Sequence, residues 1–170
     1  MERDFSPKGF INSMDSDGKR CVFKYESFTT PYRIYVLHGK GLRCIKSVEL
    51  NDKYIVEESW VKSSDGMPTH FFRVRNRDKD MGVVLAYGYG GYRTPMVPIY
   101  TPFIMPLLDD GGEYVVANIR GGSEYGEKWH REGMRDKKQN VFNDFIAILE
   151  YLEEKRTNES LYMELAMEGY

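Results

Sequence analysis

Gly82 to Gly91, GVVLAYGYGG, is an almost wholly apolar run that closes in glycines. Continuous apolarity over so few residues predicts a strand buried on both faces, as in a sheet covered by helices. EYVVANIRGG, Glu113 to Gly122, is a second stretch of the same kind. Between them, PIYTPFIMPLLDDGG (Pro98 to Gly112) has helix-compatible spacing, which Pro102 and Pro106 shorten or break and the glycine pair stops.

Working outward, YIVEESWVKSSDGMPTHFFRVR (Tyr54 to Arg75) reads as a strand, the turn SSDGMP and a second strand. NVFNDFIAILEYLEEK (Asn140 to Lys155) reads as a helix, with Val141, Phe145, Ile148, Leu149 and Leu152 on one face. Asp144 and Glu150 are assigned to its solvated side. The order strand, strand, strand, helix, strand, helix is the opening of an open α/β sheet with antiparallel edge strands. Such a sheet calls for another strand next, and the sequence offers a thirteen-residue tail, NESLYMELAMEGY, in its place.

Residues 1–50 carry a different texture. KRCVFKYESF (Lys19 to Phe28) and YRIYVLHG (Tyr32 to Gly39) alternate around Thr29 to Pro31, which predicts a hairpin, with SMDSDGKR (Ser13 to Arg20) as a connector before it. Two strands alone are marginal in water, so the hairpin is expected to belong to a larger meander or propeller blade.

Composition bounds the partners. With 170 residues, 41% apolar and 29% charged, and a net charge of -2, the chain is of ordinary globular type, and no nucleic-acid partner is implied. No apolar stretch approaches the roughly 20 residues of a membrane span, and no leader pattern is present, so the expectation is no membrane partner and a cytoplasmic location. Cys21 and Cys44 lack metal spacing and are read as packing residues, with no metal and no cofactor expected.

In open α/β sheets, function gathers at the carboxyl ends of the strands. YGYGGYR there is not a dinucleotide fingerprint, because Arg93 and TPMVP cannot open a helix at once. Gly90 and Gly91 let backbone pass close to a substrate, while Tyr89 offers a hydroxyl, the way this loop supplies half of an oxyanion hole in an α/β-hydrolase. At the other strand end, Gly121 and Gly122 form the loop and Arg120 is read as holding a carboxylate or a loop carbonyl. Ser123 nearly begins a G-x-S-x-G elbow, but Tyr125 stands where the second glycine belongs, so it is read as a turn residue leading into a short helix. His130 is read as structural, and His38 and His70 as structural or surface residues.

The stretch from Leu85 to Tyr151 resembles the start of the peptidase domain of the prolyl oligopeptidase family of serine peptidases (S9). It carries YGYGG after a buried strand, a strand reading ANIRGG, then EYG-x-x-WH and a K-Q-N-x-F-x-D-F helix start, in that order. SSDGMP resembles the family's S-x-D-G-x-x-P turn. The resemblance implies that residues 1–50 are the end of a β-propeller and residues 51–170 the start of an α/β-hydrolase peptidase domain, whose Ser, Asp and His cleave short peptides, typically after proline. It implies that Tyr89 is an oxyanion-hole donor and that Tyr92 replaces an aromatic, commonly Phe, near the proline pocket; Ser123 stands where Gly is common. None of the three triad residues has a counterpart here, so the chain alone is expected to be inactive, with a peptide as the substrate of the full-length protein. The alternatives are an esterase or lipase of the same fold, and a noncatalytic module associating through an exposed sheet edge.

The tail can be tested against the genetic code. Read one base earlier, Met163-Glu164 and Met167-Glu168 each spell glycine, and Leu165-Ala166 permits serine between them, which gives Gly-x-Ser-x-Gly where the fold wants its nucleophile. A frameshift just before Leu161 is the expectation; a trimmed or native ending that spells the pattern by chance is the alternative. The DNA beyond codon 170 decides between them.

Overall fold

The computed structural model describes residues 8–50, 52–155 and, as backbone, 161–165. The chain divides into two compact units, Met1–Asp52 with Val97–Phe103, and Lys53–Met96 with Ile104–Tyr170.

The first unit is an antiparallel meander of β1 (Phe10–Ser16), β2 (Arg20–Ser27), β3 (Thr30–His38) and β4 (Gly41–Val48), in that order. The expected hairpin is its β2–β3 pair. Ser13 to Arg20 is not a connector: β1 runs to Ser16, and the turn is confined to the residues before Arg20. Asp17 makes that turn, its Oδ1 accepting from the N–H groups of Lys19 and Arg20 at 2.9 and 2.7 Å, with Gly18 supplying φ 83°. These bonds, together with the Arg20 guanidinium, hold the Asp17 carboxyl down to about 2. β4 escapes the sequence reading because it is exposed throughout and its pairing skips Ile45 at a bulge, so no alternation marks it. Phe23, Tyr25 and Tyr35 form the unit's small core, with the Phe23 and Tyr35 rings stacked at 5.4 Å. Cys21 packs against it as expected, whereas Cys44 is exposed on β4.

The second unit holds β5 (Tyr54–Lys62), β6 (Pro68–Asn76), β7 (Val83–Gly88), α1 (Met105–Asp110), β8 (Glu113–Asn118), α2 (Gly126–Arg131), α3 (Gln139–Glu154) and β9 (Leu161–Leu165). The sheet order is β5-β6-β8-β7-β9. β5–β6 and β6–β8 pair antiparallel; β7 pairs parallel with β8 on one side and β9 on the other. The chain therefore leaves β7 first for one neighbour and then crosses to the other, which makes the carboxyl end of β7 a switch point, the place where such sheets open a crevice. β9 corrects the expectation of a tail without a strand: it is specified by the open edge of β7 rather than by any alternation of its own. The codons that spell the displaced elbow run on into residues 166–170, and that reading lies outside the described residues.

β7 and β8 are buried as their apolarity predicts, and Phe71, Val84, Ala86, Val115, Ala117 and Ile119 meet Val141, Phe145, Ile148 and Leu152 of α3 in one core. Burying each of these α3 side chains stabilises the fold by roughly 1.5 to 3 kcal/mol. Asp144 corrects the reading of this helix. It shares the buried stripe with Val141 and Ile148 and is 0% exposed, while Glu150 faces solvent as expected.

Candidate functional site

Three glycines bring the strand ends together. Gly90 follows β7 at φ 59°, and Gly121 follows β8 at φ 96°. A Cβ on Gly121 would lie 2.2 Å from the Gly90 carbonyl oxygen, and one on Gly133 would lie 2.4 Å from the Gly121 nitrogen. The loops after β7, β8 and α2 thus touch backbone to backbone, a contact no side chain permits. The Gly121 carbonyl accepts from the Arg93 N–H at 3.2 Å and from His130 Nδ1 at 2.7 Å. Because a carbonyl cannot donate, Nδ1 carries the ring hydrogen, and the buried His130 is structural, as expected. Lys138 Nζ donates to the Gly90 carbonyl at 3.0 Å. Trp129 Nε1 donates to the Ile119 carbonyl at 3.2 Å, which clamps α2 to the end of β8.

On this bridge the structure brings Tyr89 and Tyr92 together, their rings 6.4 Å apart. Tyr89 is half-buried and Tyr92 is 70% exposed. Beside them opens a pocket of about 480 Å³, lined by Gly90 to Arg93, Gly121, His130, Gly133 to Arg135 and Lys138. Tyr92 (φ 48°), Arg93 (φ 59°) and Arg135 (φ 50°) are the only non-glycine residues at positive φ among those described, and all three line this pocket. Each such conformation costs on the order of 1 kcal/mol or more, and strain of this kind collects at ligand sites. Gly122, by contrast, is buried outside the pocket and packs against the Glu124 carboxylate.

Arg120 holds carboxylates rather than a loop carbonyl. Its guanidinium, 1% exposed, donates to Asp144 at 2.9 and 2.6 Å, to Asp65 at 2.5 and 3.2 Å, and to Ser63 Oγ at 3.2 Å. Its backbone N–H also reaches Asp144 at 3.0 Å. Burial alone would push the guanidinium down, but the two carboxylates together raise it further from neutrality. Arg120 in turn holds the Asp65 carboxyl below the usual range. The group joins the β5–β6 turn, the end of β8 and α3, a scaffold behind the glycine bridge.

A second buried set lies on the same sheet. His70 Nδ1 donates to Asn118 Oδ1 at 2.9 Å, among the rings of Trp60, Phe72 and Tyr125. Burial pushes the imidazole below its usual value. Asn118 Nδ2 donates to the Met96 carbonyl at 2.7 Å and to Glu124 at 3.3 Å, and burial raises the Glu124 carboxyl. Ser123 lies in the turn before α2, its carbonyl accepting from the Gly126 N–H at 3.1 Å, as expected. Sequence reasoning missed Asp65, Asp144, Glu124 and Lys138; of these only Asp144 carried a signal, its place on the apolar stripe of α3.

A mixed α/β unit with its crevice at a glycine-rich switch point, preceded by an antiparallel sheet, is the class this fold defines. The profile of the prolyl oligopeptidase family (peptidase S9) matches residues 100–162. The chain is 40% identical over 140 residues to prolyl oligopeptidase ophP of Omphalotus olearius, covering 75% of this chain and 19% of that protein. It is 34% identical over 156 residues to a prolyl endopeptidase of Elizabethkingia miricola, covering 87% of this chain and 22% of the relative. A solved chain from a structural study of two prolyl endopeptidases superposes with a TM-score of 0.81 at 36% identity, over 89% of this chain and 24% of that one. The chain belongs to the prolyl oligopeptidase family, and it spans about a fifth of the length of the curated relatives it matches.

Proposed function

We propose that this chain supplies one wall of the active site of a serine peptidase that cleaves short peptides after proline. In this reading residues 1–50 are the last strands of a β-propeller, and residues 51–170 are the first strands of an α/β-hydrolase domain. The observation that carries it is the position of Tyr89: it follows the interior strand β7, at the switch point between β8 and β9, on a backbone bridge that only glycine allows. A phenol held there donates to a carbonyl oxygen as it becomes an oxyanion, and Tyr92 beside it offers a ring to the substrate. Gly90, Gly121 and Gly133 let the backbone come close, Gly91 and Gly122 continue the two loops, and Arg120 holds the second loop from behind.

Catalysis also needs a nucleophile and a base, and no G-x-S-x-G occurs in the 170 residues. The purified chain is therefore expected to show no turnover of a fluorogenic prolyl peptide; turnover abolished by Ser123→Ala would overturn the role given to that serine. In a full-length version, Tyr89→Phe should lower kcat by about 100- to 1000-fold with KM little changed, the effect of one lost oxyanion donor. An unchanged kcat removes Tyr89 from the site.

A further inference from the structure

We propose that the pocket beside Tyr92 binds a peptide carboxylate through Arg135, Lys138 and Arg93, so that a peptide lying over the Tyr89–Tyr92 pair is gripped by its negative charge. The inference rests on the peptide reading above and adds a charge preference to it.

The pocket lining carries two arginines and a lysine and no acid. Arg93 pairs with Glu127, but Glu127 also accepts from Arg131 at 2.8 Å, so two guanidiniums share one carboxylate. Lys138 is half-buried, and among the described residues its ammonium donates to the Gly90 carbonyl. An ammonium has three donors, and a carbonyl dipole does not cancel its charge. Among the described residues neither Lys138 nor Arg135 is paired with a carboxylate. Arg120 shows the opposite treatment: buried nearby, it is met by two carboxylates. The backbone adds a second, independent sign, because Arg93 and Arg135 both hold left-handed conformations at the pocket rim. The volume, about 480 Å³, suits a residue or two of peptide rather than a macromolecular surface. Arginine and lysine side chains lining one small pocket can bind a carboxylate by charge-assisted hydrogen bonds.

The test is fluorescence anisotropy on the purified chain with three labelled peptides that share one prolyl core. One ends in a free carboxylate, one in an amide, and one in an amide with a glutamate side chain. The acid or the glutamate peptide should bind about 10-fold tighter than the neutral amide, the effect of one charge-assisted pair. Which of the two wins identifies the carboxylate used. The preference should narrow as salt rises from about 0.05 to 0.5 M. Arg135→Gln, an exposed change, and Lys138→Met should each reduce it to about 2-fold, while Lys138→Arg should retain it. In NMR titration the Lys138 ammonium should move to higher pKa when the acid peptide is added, a shift that a purely structural lysine would not show.

Equal binding of all three peptides overturns the inference, as does a preference that survives both Arg135→Gln and Lys138→Met. Displacement of the acid peptide by an equal concentration of inorganic phosphate assigns the pocket to free phosphate and overturns it too. Should no peptide bind, the charge preference is lost, while the peptidase reading still stands or falls on the kcat of Tyr89→Phe.

Discussion

Arg120 and Lys138 touch the same glycine bridge and are treated in opposite ways. Arg120 precedes Gly121 and is fully buried between Asp144 and Asp65. Lys138 bonds Gly90 from a half-buried position and meets only a carbonyl. A cation answered by carboxylates is committed to holding elements together, and removing either partner strands a buried charge. A cation answered by a dipole keeps its capacity for an anion from outside. The contrast sets the scaffold role of Arg120 apart from the anion-binding role proposed for Lys138.

The contrast breaks most readily at Asp144. Asp144→Ala or Arg120→Met should cost about 3 to 5 kcal/mol in urea unfolding, because each leaves a buried charge behind. A loss below about 1 kcal/mol would show that the node is not part of the scaffold. Gly121→Ala should come next, at about 2 to 3 kcal/mol, since its Cβ would strike the Gly90 carbonyl from a left-handed backbone; an unchanged melting temperature would mean that the bridge yields. Lys138→Met should cost about 1 kcal/mol or less, one hydrogen bond to a carbonyl, and a cost equal to that of Asp144→Ala would erase the difference between the two cations.

The smallest effects lie in the pH dependence, where the two groups act at opposite ends of the scale. Asp65 has a lowered pKa, chiefly through Arg120. Its contribution is fully present above the unfolded value of about 4 and is lost as pH falls through the folded value. Burial lowers the pKa of Lys138 as well. In the window between its folded value and the unfolded value of about 10.4, the unfolded chain binds more protons, so stability rises with pH there. Urea midpoints should therefore fall more steeply in acid for the parent than for Asp65→Asn. On the alkaline side they should rise through that window relative to Lys138→Met; parallel curves would remove the desolvation assigned to Lys138.

Much of the second unit was legible because burial writes itself into sequence. β7 and β8 have sheet on both sides and read as unbroken apolar runs, and α3 shows its stripe. β1 and β4 have little to bury and left no period to read. Asp144 reads as solvated by its charge alone, yet its spacing from Val141 and Ile148 places it on the core face. Arg120 reads as needing a partner, yet nothing local names Asp65 and Asp144, which only the folded chain brings to it. The contact of Lys138 with Gly90 is likewise tertiary, and in KKQN the lysine looks like any solvated helix start.

The order β5-β6-β8-β7-β9 also has a consequence for synthesis. The meander of the first unit pairs each strand with the one just made, so it can form as it leaves the ribosome. β7 gains one neighbour when β8 emerges, but its other edge stays open until Leu161–Leu165 has been translated. Throughout that interval an apolar strand edge is available to any nascent chain nearby, and the hazard of aggregation is concentrated in the time taken to make α2, α3 and the residues that lead to β9.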